Sequence, residues 1–180
     1  MADKKTDLVT RKLQEAAMAS DDFEEQAENM IWSAVCVTAG LGAVPFGINT
    51  WFFVAANTTL IAMLGKHYGQ QLSHEGAAKV LRHIVMSVGF TFFATTLGLK
   101  FFAEVLKGAG VITMGGATVA GMALDATLGG ATTYAIGYTA QSYFRKSPKM
   151  KRAEIKRVFA AGFAEGKRRV TSTSVKGKQE

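Results

Sequence analysis

The chain has 180 residues, 19 glycines, a single cysteine and a net charge of +7, long enough for one domain with a real core and too short to expect two. One cysteine excludes an internal disulfide, and a mean hydropathy of +0.13 is well below that of a chain made mostly of membrane-spanning helix. Charge is sorted along the chain: residues 1–28 carry four basic and eight acidic side chains, 29–144 five and three, and 145–180 twelve and three, giving −4, +2 and +9.

Residues 1–20 alternate in charge around a sparse apolar stripe (Leu8, Leu13, Ala16, Ala17) and read as a solvated arm or a weak helix. The opening MADKKTDLVTRKLQEA is charged where an export signal is apolar, so export by the usual route is not expected. Ser20 or Asp21, with Glu24 completing a capping box, starts a helix toward Gly42. Pro45 ends it, because proline lacks the donor and disfavours helix in the residue before it. Another helix follows from 49 to 65. Between Glu28 and Lys66 lie 37 residues without a formal charge, the strongest membrane signal in the chain. Pro45 divides this run into arms of about 16 residues, each about 24 Å long against a hydrocarbon core of about 30 Å. A helical hairpin dipping into one leaflet, or short tilted spans, fits those lengths. Cys36, within the run, reads as a small buried apolar residue.

Residues 66–83 are a polar interruption, with Gly69 closing the preceding helix and Ser73 capping the next. That next helix is expected to continue without a break through the uncharged 84–99 to Lys107. His67, His74 and His83 gather here beside Glu75, none four apart from another, and read as solvated or capping groups rather than a metal site.

Residues 108–144 hold eight glycines and one charged side chain, Asp125. Thr113, Ala117, Gly121 and Asp125 fall four apart, as do Gly129, Thr133 and Gly137, so each set shares a helix face. An interior glycine costs an isolated helix about 1 kcal/mol relative to alanine. The stripe therefore marks close helix packing, at Ala117, Gly121, Gly129, Thr133 and Gly137, and self-association through it is expected. Asp125 is the buried polar candidate. An acid in a long uncharged run faces a partner, a cavity or a proton path, or caps a break between half-helices.

Ser147 and Pro148 then read as cap and first residue of a basic helix. Ile155, Val158, Phe159, Gly162, Phe163 and Val170 fill an arc of about 140° at 100° per residue. Around them stand Arg145, Lys146, Lys149, Lys151, Arg152, Lys156, Arg157, Lys167, Arg168 and Arg169. Such a helix suits anionic lipid headgroups. Nucleic acid is disfavoured, since no base-reading motif or stacking platform accompanies the charge. The string Gly162 to Lys167 is one residue short of a phosphate-binding loop and lacks its Ser/Thr. With no nucleophile beside an evident base, no enzyme, cofactor or metal is read. The chain divides into an arm (1–20), an apolar helical domain (21–144), the basic helix (145–170) and a disordered tail (171–180).

Four segments carry a family resemblance spanning roughly 28–168: AVPFGIN at 43–49, TTLIAMLGKHYGQQLS at 58–73, TTYAIGYTAQSYF at 132–144 and FAAGFAEGK at 159–167. In their order and spacing the chain resembles the YcjF-like family of uncharacterised, GTPase-associated membrane proteins. It departs from the pattern at Gly47 and Gly108, where prolines are expected. The resemblance implies a GTP-binding partner.

The expected architecture is thus an all-α, membrane-associated bundle of five or six helices, with a hairpin at Pro45, a glycine-rich central helix and both termini cytoplasmic. The expected function is a non-enzymatic scaffold that docks a separately encoded GTPase or larger complex at the membrane. The alternative is an oligomeric conduit for ions or polypeptide, lined by the small-residue helices and Asp125.

Overall fold

The uncharged segments fold into helices that cover one another. The computed structural model describes residues 2–41, 49–89, 92, 116–146 and 150–176, with side chains over 7–39, 52–89, 92, 126–146 and 150–172. Among these residues the chain is all-α, with six helices and no strand: α1 Ala2–Ala17, α2 Phe23–Leu41, α3 Asn49–His67, α4 His74–Val88, α5 Gly116–Lys146 and α6 Arg152–Lys176.

The glycine-rich helix is central: α5 packs against α2, α3, α4 and α6, and its pairing with α6 is the most extensive in the bundle. The stripe residues with described surroundings show why. A Cβ on Gly137 would stand 2.8 Å from Ile31 Cγ1 and 3.1 Å from Leu60 Cδ2, so α2 and α3 both close onto this point. Gly129 and Thr133 are buried beside it. This face is thus occupied by helices of the same chain. Ala117, Gly121 and Asp125 lie in α5 but before the residues whose side chains are described, and the Pro45 turn and the segment from 93 to 115 lie outside the described residues.

Core leucines and isoleucines (Leu13, Ile31, Leu60, Ile61, Leu64, Ile84, Ile136, Ile155) are all at 1% exposure or less, each contributing about 1.5–3 kcal/mol relative to an exposed side chain. Threonines are admitted to this core because their hydroxyls bond locally. Thr58, Thr59, Thr132 and Thr139 each donate to the carbonyl four residues back, at 2.7–2.9 Å. Asn57 Nδ2 donates to Phe53 O at 2.8 Å and to Thr133 Oγ1 at 3.3 Å, joining α3 to α5.

Local sequence signals explain several helix ends. Ser73 caps α4, its hydroxyl accepting from Gly76 N at 3.1 Å, and Gly69 takes a φ of +76° after α3. Other expectations are corrected. The cap of α2 is Asp22, whose Oδ1 accepts from Glu24 N and Glu25 N at 2.9 Å. Ser20 instead supports the turn, accepting from Asp22 N and donating to Glu25. The arm at 1–20 is helix α1, anchored by buried Val9 and Leu13. The helix expected to reach Lys107 ends at Val88, because Gly89 turns away at a φ of +99°. The basic helix begins at Arg152, with Ser147, Pro148 and Lys149 outside the described residues, and continues through part of the supposed tail to Lys176. Cys36 is exposed, though partial burial still raises its thiol pKa.

No described helix is long and apolar enough to cross a membrane.

Candidate functional site

The basic helix presents two chemically distinct faces, and the apolar one is used inside the molecule. Ile155, Phe159 and Gly162 are buried, and Val158, Phe163 and Val170 half-buried. A Cβ on Gly162 would approach Ala135 Cα at 3.1 Å, and one on Gly166 would approach Ala131 Cα at 3.1 Å and Tyr134 Cβ at 2.8 Å. Two small residues four apart on α6 thus lie on two alanines four apart on α5, the close approach that such spacing permits. Gly162 and Gly166, which in sequence invite comparison with a phosphate loop, are packing residues. The apolar arc is covered by α5 and α4.

The other face is exposed and basic. At 100° per residue, Lys156 and Lys167 fall on one side of a strip formed by Ala153, Ala160 and Ala164, and Arg157 and Arg168 on the other; all seven are exposed. The side chains of Lys151, Lys156, Arg157 and Lys167 form no hydrogen bond or ion pair among the described residues, though Lys151 and Arg157 stand near enough to Glu154 to help lower its carboxyl pKa.

Arg145, Lys146, Arg152, Arg168 and Arg169 also bond within the chain. Arg145 pairs with Glu24, whose Oε2 also accepts from Gln141 Nε2 at 3.1 Å and Tyr68 Oη at 3.3 Å. This node ties the start of α2 to the ends of α3 and α5, and His67 adds to it by stacking on Phe23 at 3.9 Å and bonding Phe23 O at 2.8 Å. Lys146 pairs with Glu154 and lowers its carboxyl pKa. Arg152 donates to Met86 O at 2.7 Å and Ser87 O at 3.4 Å, placing a cation on the last carbonyls of α4. Arg168 grips Glu165 with two hydrogen bonds, at 2.8 and 3.0 Å. Arg169 bonds both Glu165, at 2.6 Å, and Glu28, at 2.5 Å, with its guanidinium 5.4 Å from the Tyr134 ring centroid. Hydrogen bonds from Arg168 and Arg169 hold the Glu165 carboxyl at about 2, while burial pushes the Tyr134 phenol up.

Glu24 and Glu28, which meet Arg145 and Arg169, lie in the acidic segment more than a hundred residues earlier, and no local spacing announces them. The three histidines do not converge either: His67 lies on Phe23, His83 lies 6.2 Å from the Tyr143 ring, and His74 opens α4.

A family model described as a domain of unknown function, DUF697, matches residues 9–168. Neither a curated protein nor a solved structure matches the chain.

Proposed function

The chain belongs to the DUF697 family, and from that premise we propose that it is a non-enzymatic adaptor docking to an anionic membrane surface through the exposed face of α6. The supporting observation is the pairing of an apolar face spent on the bundle with an exposed basic face on which the side chains of Lys156, Arg157 and Lys167 form no ion pair among the described residues. Basic residues near an anionic leaflet contribute about 1 kcal/mol each. Only alanines lie between the cation rows, so the attraction is electrostatic and no large apolar side chain enters the lipid. The molecule sits at the cytoplasmic face of the membrane, where anionic lipid is concentrated.

The cargo of the adaptor is a separately encoded GTP-binding protein or a larger complex. Its support is the likeness of residues 43–49, 58–73, 132–144 and 159–167 to the YcjF-like, GTPase-associated proteins.

Sedimentation with vesicles tests the docking. The chain is expected to pellet with phosphatidylserine-containing vesicles and not with pure phosphatidylcholine. Release is expected as salt rises from about 0.1 M to about 1 M and the Debye length falls from about 10 Å to about 3 Å. The K156E/K167E pair, on exposed positions, is expected to abolish pelleting while leaving the circular dichroism spectrum unchanged. Equal binding to neutral vesicles, or binding that survives high salt, would overturn the proposal.

A further inference from the structure

Helices α2 and α6 both lie along α5, and side chains join them, Arg169 pairing with Glu28. They converge at Gly130, where Val170, Val35 and Ala39 all come within 3.4 Å of the place a Cβ would take. Farther toward the start of α2 an open cleft of about 380 Å³ separates them, lined by Glu25, Glu28, Asn29 and Trp32 from α2 and by Arg169 and Ser172 from α6. The four α2 residues fall at i, i+3, i+4 and i+7, so one helix face supplies two carboxylates, an amide and an indole.

We propose that this cleft binds the guanidinium of an arginine side chain in a partner polypeptide. The ionised groups lining it are two carboxylates and one cation, and that cation, Arg169, is already matched by Glu165 and Glu28. The charge left to meet a ligand is therefore negative. Trp32 is half-buried, lines the cleft and packs near-perpendicular to the Tyr134 ring at 6.5 Å. An indole is the best of the aromatic rings at attracting a cation to its face. The protein itself shows the arrangement next door, where Arg169 lies over the Tyr134 ring between Glu28 and Glu165. Glu25 and Trp32 set a further carboxylate and a further aromatic ring in the same cleft. A planar guanidinium can stack on the indole and fork onto a carboxylate at once, which the compact, strongly hydrated ammonium of lysine cannot do. Asn29 and Ser172 add neutral hydrogen-bonding groups at the rim. This site is separate from the basic face of α6 and does not depend on membrane docking.

The test follows the Trp32 indole N–H signal of the ¹⁵N-labelled full chain by NMR. The probe is an end-blocked Gly-Arg-Gly peptide; the control carries citrulline, which keeps the shape and loses the charge. A saturable shift with the arginine peptide is expected, with the citrulline peptide about fivefold weaker, the ratio that about 1 kcal/mol of cation–π and ionic attraction supplies. Glu25→Gln, at an exposed position whose carboxylate accepts from Ser20, is expected to weaken the arginine peptide by about threefold with the rest of the spectrum unchanged. No saturable shift, an equal response to citrulline, or an unaltered affinity in Glu25→Gln would each overturn the proposal.

Discussion

Glu165 shows how strongly one carboxylate can be committed even at the surface of this bundle. Arg168 and Arg169 both hydrogen-bond it, and its pKa falls to about 2. A pKa lower in the folded than in the unfolded chain means a stabilising contribution that is complete above the unfolded value of about 4.3. That contribution is lost as pH falls through about 2. Titration of the Glu165 side-chain carbon by NMR is expected to give a midpoint near 2, moving upward in Arg169→Gln; a midpoint in the ordinary carboxylate range would contradict the geometry. At this scale the sequence was legible wherever chemistry is local. Ser73 and Gly69 act where their neighbours predict, because a cap and a left-handed turn depend on three or four adjacent residues. Arg145 and Arg169 were not legible as structural cations, because Glu24 and Glu28 reach them only after the chain has folded.

The pairing of α5 with α6 rests on small residues on both helices. The stripe on α5 could be read at its spacing of four, and Gly137 does receive Ile31 and Leu60. The matching pair on α6, Gly162 and Gly166, carries the same spacing but is embedded among charges, so its packing role was hidden behind the basic face. Gly166→Val places a side chain where Tyr134 Cβ is 2.8 Å and Ala131 backbone 3.1 Å away. A cost of about 1–3 kcal/mol is expected from such overpacking, lowering the melting temperature by about 2–4 °C for each kcal/mol. A melting temperature equal to that of the unsubstituted chain would show that the helices do not meet there. Helix α1 teaches the complementary lesson. Its charges suggested a solvated arm, yet two buried side chains, Val9 and Leu13, dock it on α2 and α3. A helix needs only a narrow apolar seam when neighbouring helices complete the core.

Among the described residues, α2, α3 and the glycine-rich α5 supply a core shared among helices, and charge is left to the outside. An apolar run does not by itself distinguish a core helix from one in lipid, which is why the bundle was legible and the use of its faces was not. The central consequence concerns α6: its apolar residues point into the protein while Lys156, Arg157, Lys167 and Arg168 are exposed, so the membrane contact proposed above would be made by cations at the headgroup level. A spin label on Ala160→Cys, in a Cys36→Ser background, measures this directly on anionic vesicles. The account predicts that the label stays accessible to a water-soluble nickel relaxant and at the depth of the lipid phosphates. A label shielded from nickel and relaxed by oxygen, within the acyl chains, would contradict it.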